Sequence, residues 1–216
     1  MNRIPIYAYH LETAPLTLAQ YQERLSPERL AQLARFPEPH RQHNLAGDLL
    51  AQRAYHLAYP TEQLPPKRAV TKHGKPFFPA HPMFHYSISH SGTWAVCAVW
   101  NMPIGVDIQE ARQVRPAVFR ALSDSEQRTL SELGESQRLS AFFDLWCLKE
   151  AYVKATGLGL THSFRTFSVS RAPTISVPGY ALALVPFPDP HYHLGLCVQG
   201  DSTPSIDLEI LERSAL

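Results

Sequence analysis

The chain has 216 residues, an apolar fraction of 44% and a formal net charge of +1 at pH 7. This length fits one α+β unit or two small halves, and the near-neutral charge excludes a polybasic nucleic-acid surface. No apolar stretch reaches the roughly 18 residues needed to span a bilayer, and the N-terminus lacks a signal-peptide core. The sequence therefore predicts a cytoplasmic protein without a membrane segment.

The first part of the chain predicts a strand followed by two helices. Residues 4–9 form the strand, and Ser26 followed by Pro27 marks the start of a short helix, because serine caps helix N-termini and proline suits the first turn. A second helix is predicted over residues 41–58. Its core-facing positions are Leu45, Leu49, Leu50, Ala54 and Leu57.

Residues 84–90 alternate strictly between apolar and polar types, which predicts a half-buried strand with His85, Ser87 and Ser89 on one face. Residues 94–100 predict an apolar partner strand. The Ser89-His90 pair could indicate a hydrolase nucleophile with its base. Neighbouring strand residues point to opposite faces, however, and no nucleophile-elbow glycine pattern is present, so this alternative is disfavoured.

Residues 104–109 predict a strand that contains one acid, Asp107, between Val106 and Ile108. A buried carboxylate needs a partner, which could be an amide, a cation or a metal ion. A helix is predicted over residues 115–133. After it, residues 142–157 predict a second helix that ends at a glycine.

Glu150 and Lys154 stand four residues apart on one face of this last helix. The carboxylate could bind a hard cation or accept a proton, and the ammonium could neutralise a phosphate. The alternative is an ordinary solvent-facing Glu–Lys pair.

The remainder predicts four short strands, over residues 167–171, 181–185, 193–198 and 206–211. Strand, helix, helix and further strands thus occur twice along the chain. This repeat of architecture predicts an α+β fold of two similar halves, residues 1–103 and residues 104–216, the second carrying Asp107 and Glu150. A cleft between the halves would collect the turn at Lys75, the Ser89-His90 strand end and the helix carrying Glu150.

Three segments together resemble the 4'-phosphopantetheinyl transferases of the monomeric, surfactin-synthetase-activating type. They are Gly74-Lys75-Pro76 with the strand from Phe84 to Gly92, the run Gly105-Val106-Asp107-Ile108, and Trp146-Cys147-Leu148-Lys149-Glu150-Ala151 with Lys154. The resemblance implies two halves packed as a pseudo-twofold dimer. It also implies a Mg²⁺-dependent enzyme that moves the phosphopantetheine arm of coenzyme A to a serine of an apo acyl or peptidyl carrier protein and releases 3',5'-ADP.

The resemblance also implies roles for single residues. Asp107 and Glu150 resemble the metal-binding carboxylates, and Glu150 is in addition the candidate base for the carrier serine. Lys154 resembles the lysine at the pyrophosphate. The residues that resemble coenzyme A contacts are Lys75, Ser89, His90 and, at the 3'-phosphate, Arg29.

Two positions depart from the family pattern. Gln109 replaces an expected glutamate, which keeps an acceptor oxygen but removes a charge and leaves open whether this residue binds the metal ion. Gln32 replaces a second basic residue of the phosphate clamp, so Arg35 or Arg41 could contribute instead. The change at Gln109 motivates an alternative function, a weak or inactive family member that binds carrier protein or nucleotide.

Overall fold

The computed structural model describes residues 3–159, 163–169 and 175–216. The α-helices are α1 Leu18–Tyr21, α2 Pro27–Ala34, α3 His40–Ala58, α4 Asp124–Ser131 and α5 Glu135–Thr156. The strands of the first half of the chain are β1 Arg3–His10, β2 Ala69–Val70, β3 Pro76–Phe77, β4 His85–Ser91 and β5 Trp94–Trp100. The later strands are β6 Ile104–Glu110, β7 Ile175–Val177, β8 Tyr180–Leu184, β9 Tyr192–Gln199 and β10 Ser205–Leu211.

Two four-stranded sheets carry the fold, with strand orders β10-β1-β5-β4 and β6-β9-β8-β7, and β2 and β3 form a separate hairpin. All pairs within the sheets are antiparallel except β1 with β10, which run parallel. The mixed α/β architecture confirms the coarse fold class predicted from the sequence. The last strand lies in the first sheet, although the division at residue 103 assigns it to the second half.

Alternation along β1 shows how the layers are built. Tyr7 and Tyr9 face a core shared with α2 and α3, whereas Ile4 and Ile6 face a second core shared with β6 and β9. A third core joins the second sheet to α5. Successive strand residues point to opposite faces, so one sheet can serve two cores. The layers therefore follow the order α3, first sheet, second sheet, α5.

Most predicted elements are present, with local corrections. Ser26 caps α2 by accepting the backbone N–H of Arg29, and α5 ends at Gly157 in the left-handed conformation. The predicted helix over residues 115–133 is wrong as a single element, because Ser123 caps a new helix and separates α4 from a 3₁₀ turn at Pro116–Ala121. Leu57, predicted to be buried, is 49% exposed.

The strand predicted over residues 167–171 is also wrong for its described part, residues 167–169. Residues 167–169 follow a 3₁₀ turn at Phe164–Thr166 and are not extended into a ladder, while residues 170–171 lie outside the described residues. Among the described residues after α5, the first strand is β7. The three cysteines, Cys97, Cys147 and Cys197, are buried free thiols. No helix in the described part of the chain combines the length and apolarity needed to cross a membrane.

Candidate active site

The site lies where the edge strand of each sheet meets α5. Serines on one face of β4 bridge to β6: Ser87 Oγ accepts the N–H of Val106 at 3.1 Å, and Ser89 Oγ donates to Asp107 Oδ1 at 2.7 Å. The alternating strand predicted from the sequence is therefore correct, but its polar face is buried against the other sheet. These side-chain bridges place β4 directly beside Asp107.

Gly105 lets β6 approach the backbone of α5. A Cβ atom at this position would lie 1.9 Å from the carbonyl oxygen of Ala151 and 2.5 Å from the amide nitrogen of Ala155. Both neighbours are helix backbone and cannot move aside, so only glycine permits this packing. The close approach brings the strand residue two positions later, Asp107, within reach of the helix that carries Glu150 and Lys154.

Asp107 is 2% exposed and has three partners, as its burial requires. Lys154 Nζ donates to Oδ1 at 2.6 Å, which adds to the bond from Ser89, and Gln109 Nε2 donates to Oδ2 at 2.9 Å. The surface-pair alternative for Glu150 and Lys154 is therefore wrong, since the ammonium pairs with the buried carboxylate of Asp107 on β6. An ammonium has three protons, and Lys154 gives a second to the carbonyl of Val106 at 3.1 Å, which leaves one for a ligand.

Glu150 faces the same cavity of about 400 Å³ as Asp107 and Lys154. Burial raises the pKa of the Glu150 carboxyl, the charge of Asp107 raises it further, and Lys154 partly opposes both effects. Its carboxylate accepts no hydrogen bond within the described residues. A carboxylate that is free of partners and shifted toward neutrality is suited to accept a proton or bind a cation.

His90 also lines this cavity, and its ring stacks parallel on His43 at a centroid distance of 4.6 Å. Burial lowers the pKa of His90 to about 4, and His43, Lys154 and His40 lower it further in that order, against a smaller opposing effect of Asp107. The imidazole is therefore neutral at pH 7. In this neutral form it can donate one hydrogen bond to a phosphate oxygen.

Arg29 lies on the wall between this cavity and a larger one of about 590 Å³. Its guanidinium is already held by Asp48 at 2.6 Å, Gln32 at 2.7 Å and Asn44 at 3.3 Å. Gln32, where a second basic residue was expected, thus accepts a hydrogen bond from the guanidinium of Arg29. The guanidinium of Arg29 is therefore a charge held in a fixed position at the border of both cavities, and its role at the 3'-phosphate stays a prediction.

Arg68 is a site residue that the sequence analysis missed. It lines both cavities together with Arg29, and its Nε lies 3.9 Å from the buried carboxylate of Asp48 and makes no hydrogen bond within the described residues. Arg41, named as an alternative, instead binds the carbonyl of Phe36 at 2.8 Å. The only sequence signal for Arg68 is its place in a basic pair after two prolines, which gives no indication of a partner in α3.

Lys75 borders a third cavity of about 300 Å³ that also contacts Glu150 and Lys154. Its ammonium points to backbone carbonyls, the nearest being that of Lys154 at 2.6 Å. Of the predicted site residues, the structure therefore brings Asp107, Glu150, Lys154 and neighbouring Ser89, His90 and Gln109 into one cavity. Arg29 lies at the border of that cavity, and Lys75 lines the neighbouring cavity of about 300 Å³ instead.

The donor set at Asp107 fits a hard cation. Two carboxylates and the amide of Gln109 face one cavity. Burial, and second the charge of Asp107, raise the pKa of Glu150, and a divalent ion would offset both effects. Within residues 3–159, 163–169 and 175–216, no cluster of three or more His, Cys, Asp or Glu side chains is arranged as a metal site. Magnesium commonly binds through one or two carboxylates and substrate phosphates, so this set suffices.

Comparisons with known proteins agree with the motifs. The model of the 4'-phosphopantetheinyl transferase superfamily matches residues 103–195. A 4'-phosphopantetheinyl transferase of Bacillus subtilis is 35% identical over 150 residues, which cover 67% of this chain and 66% of the relative. The 4'-phosphopantetheinyl transferase Sfp of Bacillus subtilis strain 168 is 31% identical over 147 residues, with the same two coverages.

The 4'-phosphopantetheinyl transferase psf-1 of Bacillus pumilus is 31% identical over 167 residues, 72% of this chain and 70% of the relative. The match thus spans just under two thirds of the length of the first two relatives and more than two thirds of this one. The superfamily match spans two of the three segments on which the resemblance was based, those around Asp107 and Glu150, and the comparisons together confirm the resemblance. The chain belongs to the 4'-phosphopantetheinyl transferase superfamily.

Proposed function

We propose that this chain transfers the 4'-phosphopantetheine arm of coenzyme A to a serine of an apo acyl or peptidyl carrier protein and releases 3',5'-ADP. The observation that carries the proposal is the convergence of Asp107, Glu150 and Lys154 on one cavity. Two acids and a cation around one space suit phosphoryl chemistry, in which charge develops on phosphate oxygens. Membership of the superfamily supports the same reaction.

The neighbouring cavities provide room for a long polyanionic substrate. The space of about 590 Å³ is bordered by Arg24, Arg29, Lys67 and Arg68. It adjoins the carboxylate cavity at Arg29 and Arg68, and that cavity adjoins the less polar space beside Lys75. We infer that the nucleotide end of coenzyme A lies among the basic residues, the pyrophosphate beside Lys154, and the pantetheine arm toward Lys75.

In this mechanism the serine oxygen of the carrier attacks the phosphorus that bears the pantetheine arm. The bond between that phosphorus and the ADP oxygen breaks, and its electron pair leaves with 3',5'-ADP. Glu150 accepts the serine proton, for which its raised pKa suits it. Lys154 directs its remaining N–H toward the departing phosphate, and neutral His90 donates a hydrogen bond.

Magnesium is the cofactor that this donor set would hold, through Asp107 and Glu150, with Gln109 beside them. When bound it would neutralise phosphate charge as a Lewis acid. Gln109 now donates its amide to Asp107, and rotation of the same amide by half a turn would present an acceptor oxygen instead. We propose that the rotated amide presents this oxygen to the ion.

We also propose that the two halves are related by a pseudo-twofold axis and act as a monomer in the cytoplasm. Each four-stranded sheet has one long helix on its outer face, α3 on the first and α5 on the second. The two halves together supply the basic residues and the carboxylates of the cavity. One chain thus contains every group that the mechanism uses.

Mass spectrometry tests the function directly. The protein is incubated with an apo carrier protein, coenzyme A and Mg²⁺, and the expected product is the carrier with one added phosphopantetheine arm on its serine. A carrier with that serine replaced by alanine is the control. Absence of the product with both fatty-acid and peptide carriers would contradict the proposal.

Gln109→Glu is expected to strengthen Mg²⁺ binding to the free protein about tenfold, because ligand charge sets the affinity for hard cations. The effect should be smaller when coenzyme A supplies phosphate ligands. The same change replaces the bond to Asp107 by repulsion, so the metal-free protein should lose about 1–3 kcal/mol of stability. Calorimetric titration and thermal melting measure the two effects.

The matched control is Gln113→Glu, which adds the same charge at an exposed position a few residues later. It should change neither the affinity for Mg²⁺ nor the stability of the metal-free protein. Equal Mg²⁺ affinity in Gln109→Glu and the unmodified protein would show that residue 109 lies outside the coordination shell.

Arg68→Met is expected to raise KM for coenzyme A about 10–100-fold, the usual effect of removing a hydrogen bond to a charged group. The guanidinium is the candidate partner of the 3'-phosphate, because Arg29 beside it is already held by three side chains. KM for 3'-dephospho-coenzyme A should change little. Arg128→Met, at an exposed position outside the cavity, is the control. An equal rise for both nucleotides would exclude a specific contact with the 3'-phosphate.

A further inference from the structure

The ammonium of Lys75 is enclosed by the backbone of two other elements. Its Nζ donates to the carbonyl oxygens of Lys154 at 2.6 Å, Ile104 at 2.9 Å and Ala155 at 3.3 Å. An ammonium has three protons and no acceptor, so these three bonds use its full donor capacity. Nothing remains at Nζ for a ligand in the neighbouring cavity.

The acceptors are groups that need an outside partner. The last four carbonyls of a helix have no partner within its regular bonding pattern, and at the end of α5 the carbonyl of Val153 accepts the N–H of Gly157 and the hydroxyl of Thr156, both at 3.1 Å. Lys75 satisfies two others, those of Lys154 and Ala155, and places a positive charge at the negative end of the α5 dipole. Burial lowers the pKa of Lys75 to about 8, which agrees with a group withdrawn from water.

The three bonds join the elements that carry the reactive groups. Ile104 begins β6, which holds Asp107 three residues later, and the carbonyls belong to the turn of α5 that carries Lys154. Lys154 therefore accepts a bond from Lys75 through its carbonyl and donates one to Asp107 through its ammonium. Lys75 lies in the turn between β2 and β3, so this hairpin is bonded to both elements through the lysine side chain.

We propose that Lys75 is a positioning residue, which holds the end of α5 against the start of β6 and so fixes Lys154 relative to Asp107, and that its ammonium does not bind coenzyme A. Its effect on turnover rests on the proposed function, whereas its effect on the helix end does not. A displaced Lys154 would reduce stabilisation of the leaving phosphate. Binding of the nucleotide among the arginines would be unaffected.

The kinetic test uses Lys75→Met, which keeps the length and volume of the side chain but removes the donors. We expect kcat for transfer to fall about 10–100-fold, the usual cost of a small misplacement of reacting groups, with KM for coenzyme A within about twofold of the unmodified value. Lys72→Met, the same change at an exposed position of the same turn, should alter neither constant. A rise in KM with unchanged kcat, or no change in either, would overturn the proposal.

A second measurement does not depend on activity. Amide hydrogen exchange at the end of α5, around Gly157, is followed in the absence of coenzyme A. Lys75→Met should accelerate it at least about tenfold, because the carbonyl cap is lost, and Lys72→Met should not. Unchanged exchange in Lys75→Met would overturn the proposal even if kcat fell.

If Lys75→Met does not fold, Lys75→Arg replaces it in both measurements. A planar guanidinium cannot direct three N–H groups at three converging carbonyls, so we expect the same lower kcat with unchanged KM. Activity and exchange equal to those of the unmodified protein would overturn the geometric argument. Failure of the unmodified protein to transfer would reject the proposed function alone, and the exchange measurement would still decide the role of Lys75.

Discussion

Glu150→Gln is expected to lower transfer by about 10²–10⁴-fold, the usual contribution of a positioned general base, and to raise the melting temperature of the metal-free protein at pH 7. Glutamine keeps the shape of the side chain but can neither accept the serine proton nor supply a charged metal ligand. We expect the gain in stability because burial and the charge of Asp107 both disfavour the ionised form of Glu150 in the folded protein.

The sign of the stability change can be worked out from the direction of the pKa shift. The pKa of Glu150 is higher in the folded protein than in the unfolded chain, so the folded protein holds the proton more tightly. Proton binding by Glu150 contributes fully to the free energy of unfolding below the pKa of the unfolded chain. This contribution is lost as the pH rises through the pKa of the folded protein. At neutral pH the charged group therefore costs stability, and a neutral glutamine removes that cost.

Thermal melting from about pH 4 to pH 8 and transfer assays at neutral pH provide the test. The stabilisation by Glu150→Gln should be largest at neutral pH and should vanish toward the acid end, where the wild-type carboxyl is also neutral. Glu132→Gln, at an exposed position, is the control for charge alone. Full activity of Glu150→Gln would contradict its role in the reaction, and a lower melting temperature at pH 7 would contradict the pKa argument.

The parts of the site that could be predicted from the sequence depend on local rules. An acid within an apolar strand must find a partner, and Asp107 has three. Helical spacing correctly put Glu150 and Lys154 on one face of α5. The same spacing could not show that Lys154 pairs with Asp107, because that contact depends on how closely β6 packs on the helix.

The missed features depend on contacts between distant segments. The pair of Arg68 with Asp48 joins a loop to α3, and neither residue shows a local pattern that indicates the other. The pairing of β10 with β1 likewise joins the two ends of the chain. The break before α4 had a local signal, since Ser123 and Glu126 form a capping box, but the apolar periodicity on both sides outweighed it.

Lys149, the residue before Glu150, is expected to matter for stability and not for transfer. Its side chain is 0% exposed and points away from the cavity, with Nζ 3.0 Å from the carboxylate of Glu126. It also donates to the carbonyls of Phe164 at 2.7 Å and Phe167 at 2.5 Å, and lies over the ring of Phe167. Burial lowers the pKa of Lys149, and Glu126 opposes that effect.

Glu126 connects this lysine to two further segments. Its carboxylate accepts the N–H of Ser123 at 2.9 Å, as part of the cap of α4, and the N–H of Val169 at 2.7 Å. The buried pair of Lys149 and Glu126 therefore connects α4 and the segment over residues 163–169 to α5. Removing the lysine leaves the carboxylate of Glu126 buried without its cation and takes one donor from each of two carbonyls, which costs far more than the net value of the intact pair.

Lys149→Met should thus reduce the free energy of unfolding by about 3–5 kcal/mol and the melting temperature by roughly 10 °C for a chain of this size. Denaturant unfolding measures the first and calorimetry the second. Exposed Lys72→Met should stay within about 0.5 kcal/mol of the unmodified protein.

A double-mutant cycle with Glu126→Gln separates the pair from its surroundings. The two changes together should cost less than the sum of the single changes, by about 1–3 kcal/mol, because neutralising both partners leaves no unpaired buried charge. Transfer per folded molecule should be unchanged in Lys149→Met below its melting temperature, in contrast to Glu150→Gln. Strict additivity in the cycle would show that Lys149 and Glu126 are not coupled, and loss of turnover without loss of stability would place Lys149 in the reaction itself.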